Sequence, residues 1–258
     1  MSLIKEIYDY RQMINSLVKK DLRGRYKGSV LGFLWTFINP LLQLIVYTFV
    51  FSIVLKAGIE RFYLFLFVAL VPWIFFSSAI TTGCTCILAQ KDLVKKVYFP
   101  RQVLPIAYVT SSFVNMIFSF IVIFAVLIVS GVGVNFAALL YLPVIMLVEF
   151  ILCLGMALLF SALNVFFRDL EHILGIITMA WMYLTPIMYK VEMVPEKFLP
   201  IFNANPMTPI IIAYRDILYY KQIPHITTLT HAFLLGIVIL LIGNVVFSLL
   251  QKAFAEEL

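Results

Sequence analysis

The sequence predicts an all-α polytopic membrane protein. Of its 258 residues, 63% are hydrophobic and only 12% are charged, whereas an average soluble domain carries roughly 25% charged residues. Residues 62–90 and 102–148 contain no charged side chain. Backbone groups in hydrocarbon must bond internally, so such long apolar runs favour helices. A membrane β-barrel would instead show weak alternation over segments of about ten residues.

Six transmembrane helices are predicted, after an amphipathic helix over residues 2–22 that would lie in the membrane interface. In that helix Leu17 and Val18 belong to an apolar set at helical spacing, whereas Lys19 and Lys20 fall outside it. The predicted spans are residues 33–55, 62–83, 103–130, 138–164, 172–189 and 232–251. The fifth is short and ends at Thr185-Pro186, so it can bend or re-enter instead of crossing.

The long connection over residues 190–231 is predicted to hold short helices on the outer surface. It contains IIIAYRDILYY at residues 210–220, which is too short to span. We therefore expect an outer-surface or re-entrant helix there, packed on the bundle. No internal repeat or soluble domain is visible, so residues 1–258 are predicted to form a single transmembrane domain.

The basic residues predict the orientation. With the N-terminus in the cytoplasm, thirteen of the 19 Lys and Arg residues fall on the cytoplasmic side. Short inner loops of membrane proteins carry such an excess of Lys and Arg. We expect a multi-pass protein of the cytoplasmic (inner) membrane with both termini cytoplasmic.

Motifs for self-contained chemistry are absent from the sequence. No Gly precedes Lys-Ser or Lys-Thr, so there is no phosphate-binding loop for ATP. Three histidines are scattered, and Cys84, Cys86 and Cys153 lack metal-ligand spacing. No catalytic residue, no metal site and no cofactor are predicted in this chain. The missing motifs do not exclude a membrane transferase.

Three groups of side chains remain open to two interpretations. Glu149 is a lone carboxylate inside a span, and is either a helix–helix contact or a functional group. Arg23, Arg25 and Lys27 precede the first span, and either anchor it or capture a phosphate-bearing lipid. Prominent aromatic residues either anchor the spans or line a transport path, where rings stack on sugars. The candidate path residues are Trp35, Tyr47, Phe51, Trp73, Trp181 and Tyr183.

Two charged segments interrupt the apolar runs on the cytoplasmic side. KDLVKKVYFPR at residues 91–101 can form a short amphipathic helix, because Leu93, Val94 and Val97 share a helical face. Pro100 disfavours helix at the preceding residue. NVFFRDLEHI at residues 164–173 makes a tight charged turn, which is either a loop or a docking site for a cytoplasmic partner.

Four stretches together resemble the transmembrane permease of ABC-type polysaccharide exporters, which move O-antigens, teichoic acids and capsular polymers. They occur in the family's order and spacing across nearly the whole chain. The stretches are RYKGSVLGFLWTFINPLLQ (25–43), LVKKVYFPRQVLP (93–105), VFFRDLEHIL (165–174) and NPMTPIIIAYRD (205–216).

The resemblance implies a homodimer that binds two cytoplasmic ATPase subunits, in which ATP and Mg are held. It implies that residues 84–101 dock on the ATPase and that the turn after span four approaches it. The implied docking residues are Lys91, Asp92, Lys95, Lys96, Tyr98, Phe99, Arg101, Arg168, Asp169 and Glu171. The implied substrate is a polymer on a polyprenyl pyrophosphate lipid, whose headgroup would meet Arg23, Arg25 and Lys27.

Two other function classes stay open at this point. A membrane-embedded lipid-linked sugar transferase or acyltransferase would need clustered acid, base or metal-binding residues at one membrane face. A channel or ion-coupled carrier would need several charged residues within the spans, where only Glu149 qualifies.

Overall fold

The computed structural model describes residues 3–56 and 58–258, and it has helices but no strand within them. Five helical stretches in this described part of the chain are long and apolar enough to cross a membrane: Gly32–Val54, Phe62–Ala89, Val103–Val129, Phe136–Phe166 and Ile226–Ala253. They correspond to predicted spans one, two, three, four and six. The all-α fold class is therefore confirmed.

The α-helices follow one another along the chain with short connections. The first seven are α1 Leu3–Asp9, α2 Arg11–Tyr26, α3 Trp35–Thr48, α4 Phe62–Ala89, α5 Lys91–Lys96, α6 Val103–Val129 and α7 Phe136–Leu139. The others are α8 Leu142–Phe166, α9 Leu170–Tyr183, α10 Leu199–Ala204, α11 Met207–Leu218, α12 Ile226–Leu250 and α13 Phe254–Glu257. A π-helical stretch, Phe49–Val54, extends α3.

The predicted interface helix is two helices in the structure. Helix α1 ends at Asp9 and α2 continues to Tyr26, four residues beyond the predicted end. Leu17 and Val18 of α2 are buried in an apolar cluster with residues of α4, α6 and α8. Ser2, the first residue of the predicted range, lies outside the described residues. Helix α2 thus lies against the bundle, and both arginines of the basic cluster belong to it.

Helix α4 is the centre of the bundle. Most of its side chains are buried, and it packs against α3, α6, α8 and α9. It continues to Ala89, beyond the predicted end of span two at residue 83. Residues 84–89 are therefore part of the spanning helix, and α5 is the separate short helix of the predicted docking segment. The basic end of the bundle is defined here as the end where α4 and α8 finish, α6 begins and α5 lies.

Helices α8 and α12 approach each other closely through glycines. A Cβ atom on Gly155 of α8 would lie 2.6 Å from the Leu240 Cα of α12. A Cβ on Gly243 of α12 would lie 2.2 Å from the Gly155 carbonyl oxygen. Real Cβ atoms do not approach other atoms so closely, so only glycine fits at these two positions.

The region of the fifth predicted span differs from the other spans. Helix α9 has 14 residues, which gives a length of about 21 Å, short of the roughly 30 Å hydrocarbon core. Beyond it come two short 3₁₀ turns, then α10 and α11. Helix α11 is almost entirely buried and packs on α4, α8 and α12. The sequence predicts a packed short helix over residues 210–220, and α11 covers most of that range.

Candidate functional site

Arg25 lies in a polar network that ties α2 to the bundle. Its Nε donates to the Asp21 carboxylate at 2.8 Å, and its Nη2 donates to the Ser112 hydroxyl of α6 at 3.0 Å. Its Nη1 lies 3.4 Å from the Ser78 hydroxyl of α4. Ser111 donates to the same Asp21 oxygen at 2.5 Å. The charge of Arg25 is thus already paired with a carboxylate and held against two spans.

Arg23 and Lys27 lie in different surroundings. Both are exposed and line a cavity of about 1140 Å³ between α2 and the start of the first span. Lys19 and Lys20 line the same cavity, together with the apolar side chains of Leu22 and Phe33 among others. This basic cavity offers four cations beside an apolar wall, which suits an anionic headgroup joined to a lipid tail.

Helix α5 presents charged side chains on an anchored base. Lys91, Asp92, Lys95 and Lys96 are exposed, and Tyr98 is 95% exposed. By contrast, Val94 and Phe99 are each 5% exposed and belong to the apolar cluster at the basic end. Phe99 therefore anchors this segment, while the Lys residues and Tyr98 are free to meet a partner.

A hydrogen-bonded chain links α2 to the start of α5. The Lys20 ammonium donates to Gln90 Oε1 at 3.2 Å, and Gln90 Nε2 donates to the Tyr108 hydroxyl at 3.0 Å. Gln90 directly precedes α5, and Tyr108 belongs to α6. Since Lys20 also lines the basic cavity, one side chain links that cavity to the residue that precedes α5.

The second predicted docking segment is also at the basic end. Phe167, which follows α8, is 67% exposed, and Arg168 and Asp169 beside it are exposed. Glu171 is less exposed and lies 4.0 Å from the His172 ring nitrogen. The charged turn therefore offers an exposed aromatic ring and charges of both signs on the same end of the bundle as α5.

Of the six aromatic candidates, Trp73 is buried, Tyr183 is exposed and the other four are half-buried. Trp73 is 4% exposed, and Trp181 packs edge-on against Phe76 at 5.2 Å and donates to the Asn205 side chain. Trp35 lines a polar cavity of about 290 Å³ beside Arg25 and donates to Ser29. The remaining three are half-buried or exposed: Tyr47, Phe51 and Tyr183.

Glu149 is fully buried and makes a contact between α8 and α11. The Tyr214 hydroxyl donates to its Oε2 at 2.7 Å. The neighbouring Arg215 donates to the Ile187 carbonyl oxygen at 2.6 Å, and its guanidinium lies 3.5 Å from the centre of the Phe65 ring. The sequence reasoning did not single out Tyr214 or Arg215. The sequence feature that could have identified this contact is the charged pair Arg215-Asp216 inside an otherwise apolar short helix.

Asp216 completes the polar part of α11 near its C-terminal end. Burial raises the pKa of its carboxyl, and the hydrogen bond that Gln222 donates at 2.9 Å opposes that rise. Arg215 and Asp216 line a cavity of about 480 Å³ together with Lys190, Glu192 and others. The contacts of Arg215 with the Ile187 carbonyl oxygen and the Phe65 ring hold α11 against the segment after α9 and the start of α4.

No group of three or more His, Cys, Asp or Glu side chains that could hold a metal ion occurs within residues 3–56 and 58–258. The three cysteines are buried thiols.

Comparison with known proteins agrees with the resemblance seen in the four stretches. A family model described as ABC-2 type transporter matches residues 12–219. An O-antigen export system permease protein RfbA of Myxococcus xanthus is 33% identical, over 99% of both chains. A protein of the same description from Klebsiella pneumoniae is 35% identical, over 94% of this chain and 93% of its own. A polysialic acid transport protein KpsM of Escherichia coli is 21% identical, over 93% and 94% respectively. The chain belongs to the ABC-2 type transporter family.

Proposed function

We propose that this chain is the channel-forming permease subunit of an ATP-driven exporter that moves a lipid-linked polysaccharide across the cytoplasmic membrane. One observation carries the proposal. The chain has no ATP-binding loop of its own, yet it exposes the basic helix α5 and Tyr98 on a segment that the buried Val94 and Phe99 fix to the bundle. The exposed charged turn after α8 lies at the same end of the bundle. The chain's relatives named as O-antigen export permeases support the substrate class. The basic end would then face the cytoplasm.

The substrate headgroup would bind in the basic cavity. A polyprenyl pyrophosphate combines a doubly anionic head with a long apolar tail, and the cavity places four cations beside apolar side chains. We assign the headgroup contacts to Lys19, Arg23 and Lys27. Arg25 has a positioning role, because its guanidinium is engaged by Asp21 and two serines.

The polymer would pass beside α3, between two copies of this chain. Asn39 and Gln43 of α3 are exposed, and amide side chains are poor neighbours for lipid tails. Tyr47, Phe51 and Tyr183 lie half-buried or exposed in α3, its π-helical extension and α9. Their rings can stack on sugars. Trp73 and Trp181, which pack inside the bundle, would support that wall from behind.

ATP would act through the partner subunit. Closure of two ATPase subunits around ATP would displace α5 and the turn at 167–171. The permease would respond only because the partner makes different contacts in its two states. A pyrophosphate head in the basic cavity would shift the equilibrium between the same two states of the permease. Lys20 provides the link, because it lines that cavity and also donates a hydrogen bond to Gln90, which precedes α5.

Retention of the ATPase tests the proposal. Tagged permease should co-purify with an ATPase subunit from its native host. The combined variant Lys95→Glu, Lys96→Glu and Tyr98→Ala should lose it, because these side chains are exposed at the end of α5 and just after it. Lys197→Glu, an exposed charge reversal in the connection between α9 and α10, is the control and should retain it. If the parent protein never retains an ATPase, or the α5 variant retains it fully, the proposal is wrong.

A further inference from the structure

We infer that residues 251–258, which follow α12, join the two docking segments into one mechanical unit that also includes α12. This inference rests on the proposed function, because it says how the docking surface transmits movement. The segment 251–258 is called the clasp below. Nothing in the sequence alone pointed to it.

The first side of the clasp is held by Arg101, at the end of the α5 segment. Its Nη1 donates to the Gln251 carbonyl oxygen. Its guanidinium carbon lies 5.7 Å from the centre of the Phe254 ring. One residue further along, Gln102 donates to the Asn244 side chain of α12 at 3.2 Å. The α5 segment is therefore tied to the last span and to the clasp by three separate contacts.

Phe254 is the core of the clasp. It is 0% exposed, although it lies in a four-residue helix at the edge of the bundle. Its ring meets Phe247 of α12 edge-on at 5.5 Å and lies 6.2 Å from Phe166 at the end of α8. Aromatic pairs of this geometry contribute beyond the area they bury. One side chain thus connects α12, α8 and Arg101.

The second docking segment is bonded to the far side of the clasp. Arg168, in the turn after α8, donates from Nη2 to the Glu257 carbonyl oxygen at 3.4 Å. Arg101 and Arg168 were both predicted to face the ATPase. In the structure each donates a hydrogen bond to a backbone oxygen of residues 251–258, and exposed neighbours such as Tyr98 and Phe167 are available to a partner.

Force applied to either docking segment would therefore reach α12. That helix packs on α8 at the tight glycine contact of Gly155 and Gly243. Close-packed interfaces transmit displacement because they cannot deform continuously. The last span thus becomes a route by which closure of the ATPase moves the membrane part.

Hydrogen exchange on the full-length protein in detergent tests the clasp without any partner. Phe254→Ala should speed amide exchange about tenfold in both docking segments, since a buried ring that joins them is lost. Arg101→Gln should speed amide exchange mainly in residues 97–102. This variant keeps the apolar contacts of Phe254, so it still tests the clasp if Phe254→Ala unfolds the protein. Glu256→Gln, an exposed change within the clasp, is the matched control. If Phe254→Ala and Arg101→Gln both leave exchange in the docking segments unchanged, the clasp does not exist.

Spin labels in the purified permease–ATPase complex test the mechanical role. Labels at Val97→Cys, which is exposed and is not one of the predicted ATPase contacts, and at Lys252→Cys should keep their separation when ATP is trapped with vanadate. In the Phe254→Ala background that separation should change. The native cysteines are buried, so labelling is specific. A changed separation in the parent complex would overturn the inference. Failure to obtain any complex would count against the proposed function alone, because the exchange experiment needs no partner.

Discussion

Arg23 and Arg25 show how two residues of one type, two positions apart, differ in role. On a helix, residues two apart point to different faces. Arg25 points to Asp21, Ser78 and Ser112 and is part-buried, whereas Arg23 is exposed at the basic cavity. Loss of Arg25 would leave Asp21 without its charged partner, which typically costs about 1–3 kcal/mol.

We predict opposite outcomes for the two substitutions. Arg25→Gln should weaken the attachment of α2 and raise hydrogen exchange at its buried face, with little effect on anion binding. Arg23→Gln should weaken binding of farnesyl pyrophosphate, a short-chain probe, about tenfold, because a charged hydrogen bond is lost. Native mass spectrometry and exchange measure the two effects. Equal behaviour of the two variants would contradict the division of roles.

Part of the difference in role between Arg23 and Arg25 can be predicted from the sequence. The basic cluster was recognised, and Asp21 stands four residues before Arg25, the spacing of a helical ion pair. The predicted helix stopped at residue 22, so Arg23, Arg25 and Lys27 were treated as one cluster at one depth. Serines 78 and 112, on distant spans, can be placed beside Arg25 only by tertiary structure.

At the scale of elements, the α8–α12 contact depends on missing side chains. Gly155 and Gly243 bring the two backbones together where a methyl group would overlap atoms of the other helix. Small residues allow spanning helices to approach closely, and van der Waals packing then stabilises the pair.

We predict that Gly155→Ala destabilises the protein by about 1–3 kcal/mol, the usual cost of overpacking. Gly175→Ala is the matched control, since it also lies in a helix and its new methyl group would meet nothing within 4 Å. Thermal unfolding in detergent compares the two. An unfolding midpoint for Gly155→Ala equal to that of the control would contradict the tight contact.

Elements were predicted with uneven success, for physical reasons. Uninterrupted apolar runs made spans one to four and six easy to find. Apolar periodicity continues through Ala89, so the break between α4 and α5 could not be placed from composition. The fifth predicted span was expected to cross, bend or re-enter; its helix ends at Tyr183, and Ile187 beyond it accepts a hydrogen bond from Arg215 of α11.

At the scale of the whole molecule, the outer faces of two spans differ in chemistry. The exposed residues of α12 between positions 232 and 250 are all apolar, as a lipid-facing surface requires. Helix α3 exposes Asn39 and Gln43 among its apolar residues. This contrast favours α3 as the face that is covered by a second copy or lines the path.

We therefore predict that Gln43→Cys crosslinks to its own copy. In a twofold dimer, residues near the axis meet their equivalents. Bismaleimides of graded length should give a dimer band in membranes for Gln43→Cys and none for Leu241→Cys, on the exposed face of α12. A dimer band only for Leu241→Cys would place the interface at α12 and contradict this prediction.

Which side of each apolar helix is buried could not be predicted from the sequence. The amino-acid pattern marks apolar helices, but in lipid both the interior and the exterior of the bundle are apolar, so hydrophobicity does not separate them. For that reason Trp73 and Tyr47 were grouped together as path candidates. In the structure Trp73 is packed in the core, whereas Tyr47 is only half-buried.

The length of α4 has a geometric consequence for α5. Its 28 residues give a rod of about 42 Å, roughly 12 Å longer than the hydrocarbon core. Only Gln90 separates its end at Ala89 from α5. One residue inserted near that end would shift α5 by about 1.5 Å and rotate it by about 100° around the α4 axis. The number of residues in α4 therefore sets both the height of α5 above the hydrocarbon core and its direction around the α4 axis.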